Sequence, residues 1–121
     1  MIGVGIDVVD LDRFRAALAR RPGLLERVFT EPERSELAGR LDPVPGLAAR
    51  FAAKEAAMKA LGVGIGSVGF SDVEVVRGPG GAPRLHATGR AARVAESLGV
   101  SAWHVSLTHS GTVAAATVVA T

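Results

Sequence analysis

Three stretches of this 121-residue chain gather residue types that handle phosphates and protons. The first is Ile2-Gly3-Val4-Gly5-Ile6-Asp7, where a carboxylate follows two glycines at alternate positions. On a strand, Gly3, Gly5 and Asp7 share one face, so a ligand or another backbone can come close to it. A carboxylate there must be paired, solvated or metal-bound, or else bonded to local N–H groups ahead of a helix. The second stretch is Arg50-Phe51-Ala52-Ala53-Lys54-Glu55-Ala56-Ala57-Met58-Lys59-Ala60-Leu61. The roughly 100° step of a helix puts Phe51, Glu55 and Lys59 on one side and Ala53, Ala56, Ala57 and Ala60 on the other. Taken alone, Glu55 and Lys59 describe a solvated ion pair worth only about 0.3 kcal/mol. Set beside Asp7 that reading weakens, because two carboxylates from different elements can bind Mg²⁺, an ion that keeps several waters and usually takes further ligands from substrate phosphates. Lys59 then adds a cation for a phosphate leaving group.

The third stretch, Trp103-His104-Val105-Ser106-Leu107-Thr108-His109-Ser110, puts His104, Ser106 and Thr108 on one strand face, opposite Val105 and Leu107. Three polar groups on one face suggest a ligand edge; the spacing carries no signature of a nucleophilic triad. Gly64-Ile65-Gly66-Ser67-Val68-Gly69 is formally a GxGxxG run. A dinucleotide fingerprint follows a strand and opens a helix, whereas this run follows a helix, so the dinucleotide reading is rejected. It serves either as a helix stop or as a loop whose N–H groups approach an anion.

The elements that must position these groups are legible as patterns. Ile2–Val9 alternates as a strand, with Ile2, Val4, Ile6 and Val8 pointing one way. Asp10 caps a helix whose apolar side is Leu11, Phe14 and Leu18, with Pro22-Gly23 after its end. Thr30-Glu31-Pro32-Glu33 is a capping box for a short helix. Pro43 and Pro45 mark a turn, and a longer helix runs from about Leu47 to Leu61. Asp72–Val76 and Arg84–Ala87 read as strands around a turn at Gly78–Pro83. Thr88 caps a helix ending near Leu98, with Gly99 as its stop. Ala102–Leu107 and Thr112–Ala120 then pair as a hairpin across His109-Ser110-Gly111. With no regular βαβ repeat, the expected class is α+β: one compact domain over residues 1–121, with a largely antiparallel sheet and a long central helix.

Composition narrows the function classes. There is no cysteine, which excludes thiolate metal sites, redox motifs and thiol nucleophiles. A pI of 9.9 looks like a nucleic-acid binder, yet the net charge is only +2. Without tyrosine or cysteine, almost nothing titrates between histidine and arginine, so the high pI reflects missing buffering groups rather than a basic surface. The four Phe and one Trp are scattered, which gives no stacking motif for RNA. Residues 97–121 hold no charged side chain, but Ser106, Thr108, His109, Ser110, Gly111 and Thr112 interrupt them, so a membrane span is not expected. The first residues lack the basic flank of a signal peptide, and a cytoplasmic location is the expectation. Arg13, Arg15, Arg20, Arg21 and Arg27 face a single acid, Glu26, a local charge of +4 (five minus one) between residues 13 and 27. Taken alone, that charge describes an ordinary solvated surface or a site for an acidic partner.

In this order, the stretches resemble the holo-[acyl-carrier-protein] synthase family, the small 4′-phosphopantetheinyl transferases. The resemblance rests on Gly5-Ile6-Asp7-Val8-Val9-Asp10 with Arg13, and on Arg50-Phe51-Ala52-Ala53-Lys54-Glu55-Ala56 with Lys59-Ala60-Leu61-Gly62. It also rests on His104-Val105-Ser106-Leu107-Thr108-His109 with Ala114–Val118; Val28-Phe29-Thr30 and Gly81-Ala82-Pro83 fall where that family has similar turns. The middle motif is the specific one.

The resemblance implies transfer of phosphopantetheine from coenzyme A to a serine of an apo-acyl carrier protein, releasing 3′,5′-ADP. It implies Asp7 and Glu55 as Mg²⁺ ligands and Lys59 as a phosphate contact. Arg50, His104, Ser106, Pro83 and the Gly62–Gly66 loop, with Gly62 and Gly64, fall at the coenzyme, Arg50 and His104 near its 3′-phosphate. Arg13, Arg20 and Arg21 would meet the carrier, and a homotrimer would share each site between subunits. Glu55 is the first choice of base, directly or through a metal-bound water, with His104 and His109 remaining candidates. Thr108 stands where many relatives have serine. Two other readings stay open: a Mg²⁺-dependent pyrophosphate hydrolase, and a non-enzymatic module binding RNA or an acidic protein.

Overall fold

A computed structural model describes residues 1–64 and 66–121. Ile65, within the glycine-rich run singled out above, lies outside the described residues. Alternation makes Gly3–Asp10 a strand, β1, and its last residue caps the next element. The Asp10 carboxylate accepts the Arg13 N–H at 2.9 Å, opening α1 (Leu11–Arg20). A short α2 (Leu24–Val28) follows, and α3 (Glu31–Leu37) begins on a capping box with both halves formed between Thr30 and Glu33. The long helix α4 spans Val44–Leu61. It starts earlier than its apolar pattern indicated, because Pro45 fits the first turn, where its missing N–H costs nothing.

The remaining elements are β2 (Val73–Arg77), β3 (Pro83–Ala87), α5 (Gly89–Leu98), β4 (Trp103–His109) and β5 (Val113–Ala120). Thr88 does stand at the cap position of α5, but its hydroxyl donates to the Asp72 carbonyl at 3.4 Å and accepts no helix N–H. All pairing is antiparallel and divided between two sheets, a three-stranded one in the order β1-β5-β4 and a β2-β3 ribbon. The class is α+β, as expected.

Helix α4 is buried along most of its length, and its alanines carry the contact. Ala52, Ala53, Ala56 and Ala57 are wholly inaccessible. Such small side chains let β1 approach the helix backbone itself. A Cβ placed on Gly3 would lie 1.8 Å from the Ala60 carbonyl oxygen, and one on Gly5 would lie 1.8 Å from that of Ala56. The glycine face of β1 therefore admits another backbone, which is one of the two roles its pattern allowed. Gly5→Ala must push strand and helix apart and is expected to cost about 1–3 kcal/mol. Urea unfolding at an unchanged midpoint would show that this contact yields freely.

The close approach places the apolar residues of β1 outside. Val4, Ile6 and Val8 are 56, 63 and 61% exposed. The register continues their face as rows: Val4–Val119–His104, Ile6–Thr117–Ser106 and Val8–Ala115–Thr108. One face of the sheet is thus packed on α4, and the other runs from apolar at β1 to polar at β4.

Candidate active site

Asp7 leaves β1 on the same face as Gly3 and Gly5 and so points toward α4. Lys59, near the end of α4, donates to Asp7 Oδ1 at 3.1 Å and to the Ile6 carbonyl at 2.9 Å. Lys59 is thereby drawn to β1 rather than into the i,i+4 pair with Glu55. Glu55 is half-buried, and among the described residues no donor reaches its carboxylate. Burial pushes its carboxyl above the usual range, the Asp7 carboxylate adds to the rise, and Lys59 opposes it. Two carboxylates close enough to feel each other, one of them without a hydrogen-bond donor, form an oxygen donor set for a hard cation. Among the described residues no third His, Asp or Glu joins them, so the rest of a coordination shell has to come from water or a ligand.

Asp7 and Glu55 open into a cavity of about 440 Å³ whose other walls include Arg13, Phe14, Phe51 and Phe70. The phenylalanines, scattered in sequence, meet here: ring centroids lie 6.4 Å apart for Phe14–Phe29, 5.5 Å for Phe14–Phe51 and 5.3 Å for Phe51–Phe70. Their spacing in the chain carries no period, and only the packing of α1 on α4 reveals the cluster. Arg13 and Arg21 line the same cavity, while Arg20 stands exposed at the end of α1. Arg15 turns away to pair with Asp42 through both amino nitrogens, which lowers the Asp42 carboxyl and raises the guanidinium.

Lys54 is fully buried. Its ammonium donates to Glu33 Oε1 at 2.8 Å and to the carbonyls of Phe70 and Val73. Burial pulls Lys54 below the usual lysine range and Glu33 opposes this. The lysine that flanks Glu55 in sequence thus fastens the fold, and only Lys59 faces the carboxylates.

The coenzyme-facing residues named by the resemblance lie elsewhere. Arg50 is buried, donating from Nε to the Val75 carbonyl at 2.9 Å and from Nη2 to Glu36 Oε1 at 2.6 Å. It shares a cavity with Pro83, Ser106 and Arg77. His104 and Pro83 line the next one, with Arg84 and Trp103. Gly62 closes α4 with φ +71°, and Gly64 follows on the surface. His109 and Thr108 line a further cavity with Arg40 and Arg77. Neither of these two arginines had any motif to mark it.

The 4′-phosphopantetheinyl transferase superfamily model matches residues 3–118. A holo-[acyl-carrier-protein] synthase of Frankia casuarinae is 52% identical over 120 residues, covering 99% of this chain and 97% of its own. Among solved structures, the holo-[acyl-carrier-protein] synthase of Neisseria meningitidis is 34% identical with a TM-score of 0.88, covering 100% of this chain and 99% of that one. That of Bacillus anthracis, in complex with coenzyme A (3′,5′-ADP), is 36% identical with a TM-score of 0.81, covering 98% and 95%. Sequence and fold agree along almost the whole length, and the paired carboxylates on β1 and α4 lie inside the matched span: the chain belongs to the 4′-phosphopantetheinyl transferase superfamily.

Proposed function

We propose that this protein transfers 4′-phosphopantetheine from coenzyme A to a serine hydroxyl of an apo-acyl carrier protein, with Mg²⁺, leaving 3′,5′-ADP. The observation that carries the reading is the meeting of Asp7 and Glu55 at one cavity, with Lys59 paired to Asp7 beside them. A Mg²⁺ held by Asp7 and Glu55 would supply charge neutralisation to a pyrophosphate during attack on its β-phosphorus. Lys59 adds a fixed positive charge beside the same oxygens, and its bond to the Ile6 carbonyl holds it in place. Glu55, which receives no hydrogen bond among the described residues, takes the proton of the serine hydroxyl, directly or through a bound water.

Arg13 and Arg21 at the cavity, with exposed Arg20, form the docking face for an acidic carrier. Arg13→Glu is expected to raise the KM for carrier about tenfold, with the KM for coenzyme A nearly unchanged. Equal increases in both would place Arg13 outside the docking face. The open face of the sheet, with Val4, Ile6 and Val8 uncovered, supports assembly into the homotrimer. No helix among the described residues is long and apolar enough to cross a membrane, and the proposed setting is the cytoplasm, with its coenzyme A and carrier.

The test is to incubate the protein with coenzyme A, Mg²⁺ and an apo-acyl carrier protein and weigh the carrier. A carrier heavier by one phosphopantetheine is expected. Release of 3′,5′-ADP with an unmodified carrier would instead identify a hydrolase, and salt-sensitive binding without turnover a binding module.

A further inference from the structure

Lys59 makes two bonds of different kinds. Its ammonium donates to the Ile6 carbonyl at 2.9 Å and to Asp7 Oδ1 at 3.1 Å, and its third N–H has no protein partner among the described residues. The reach from α4 to β1 exists because Gly3 and Gly5 let the strand lie against the helix backbone. The carbonyl is neutral backbone and can keep its bond whatever else enters the site. The carboxylate is one of the two groups that would hold a cation.

The charges decide what the free protein accepts. Among the described residues, Lys59 is the cation within ion-pair distance of Asp7, and none stands that close to Glu55. Arg13 and Arg21 line the same cavity without pairing with either carboxylate. Two carboxylates and one ammonium leave a net charge of −1 (one minus two). A divalent cation arriving alone meets that reduced charge and must share Asp7 with an ammonium that repels it. A pyrophosphate, itself a dianion, removes the conflict by accepting the ammonium that Asp7 gives up. The exchange is easy, because the two side chains are 55% and 13% exposed and a pair so open to water is weak.

We infer that Lys59 is a built-in counter-ion that occupies Asp7 until a pyrophosphate draws it off, so that divalent cation and coenzyme A bind as a coupled pair. The inference rests on the reading of Asp7 and Glu55 as the Mg²⁺ ligands given above. Lys59 keeps the Ile6 carbonyl throughout and turns on it, moving a donor from carboxylate to phosphate. By linkage, whatever the coenzyme adds to cation affinity, the cation adds to coenzyme affinity.

Free Mn²⁺, counted by electron paramagnetic resonance, reports cation binding with no carrier present and no turnover. Titrations with and without coenzyme A are compared for wild type, Lys59→Met and Arg13→Gln, after subtracting the Mn²⁺ held by coenzyme A alone. Without coenzyme A, Lys59→Met should bind Mn²⁺ about tenfold more tightly than wild type. Coenzyme A should tighten Mn²⁺ binding to wild type by a factor about tenfold larger than in Lys59→Met. Arg13→Gln removes a cation from the same cavity but no bond to Asp7, and should change both quantities far less. Equal affinity of wild type and Lys59→Met without coenzyme A, or the same tightening in both, would overturn the exchange while leaving the metal reading in place. An effect of Arg13→Gln as large as that of Lys59→Met would do the same, by reducing the role of Lys59 to unspecific charge. Mn²⁺ bound by no variant, with or without coenzyme A, would overturn the exchange and the metal reading together.

Discussion

Glu55→Gln is expected to lower phosphopantetheine transfer about a thousandfold or more while the protein stays folded. In the proposed reaction the loss is large because one carboxylate holds two duties, as a ligand to the cation and as acceptor of the serine proton. An amide of the same shape fills the same space but takes no proton and binds Mg²⁺ poorly. The fold should survive, because Glu55 gives it little. Among the described residues its carboxylate receives no hydrogen bond, and burial and Asp7 both disfavour its charge. Asp7 offers a weaker test: Asp7→Asn also breaks the contact with Lys59 at 3.1 Å, so loss of activity there has two causes.

The same imbalance fixes a sign for stability. The folded Glu55 carboxyl binds its proton more tightly than the unfolded one, whose ordinary value is 4.5. Whatever stability this contributes is present below that unfolded value and is lost as pH rises through the raised folded one. With chelator present to remove divalent cations, Glu55→Gln should therefore match or exceed the wild-type thermal midpoint at neutral pH, and the gap should close in acid. A variant that keeps its turnover would remove Glu55 from the reaction. One that melts well below wild type at neutral pH would mean its carboxylate is satisfied in the fold after all.

The capping box at Thr30, the N-cap at Asp10 and the helix stop at Gly99 were all legible in the chain because each is made by residues a few positions apart. The same holds for the β4–β5 hairpin, whose alternation survives into the register. The carboxylate pair is different. Asp7 and Glu55 lie on separate elements, and the spacing on each alone fitted a bland role. Only their pairing raised a cation site as an alternative, the family resemblance strengthened it, and the structure places both at one cavity. What stayed hidden depends on contacts between distant segments. Glu36, Arg50 and Arg77 meet across three elements, and Lys54 reaches Glu33 on α3 and a carbonyl on β2. The apolar face of β1 was equally ambiguous. Alternation shows that such a face exists, and only the glycine contact with α4 decides that it lies outside.

Lys54→Met should cost about 3–5 kcal/mol of folding stability, the range for removing one partner of a buried ion pair. The pair is wholly inaccessible on both sides. Removing the ammonium leaves the Glu33 carboxylate charged in the interior and deprives the Phe70 and Val73 carbonyls of a donor. Glu33 cannot move to water, because the same carboxylate accepts the N–H of Thr30 at 2.8 Å and of Val75 at 2.9 Å. Against a total stability of about 5–15 kcal/mol, such a loss leaves the variant marginal.

Adding Glu33→Gln to Lys54→Met should recover part of the loss, because the stranded charge is gone and the amide oxygen still accepts one of the two N–H groups, and the double-mutant cycle should show strong coupling. A single-variant loss under about 1 kcal/mol in urea unfolding would mean the pair is compensated by water or by relaxation. Lys54 and Glu55 are consecutive on α4 and about 100° apart around it, which turns one toward the core and the other toward the cavity. Substituting the first should therefore lower activity only as far as it lowers the folded fraction. Substituting the second should stop turnover in a protein that remains folded.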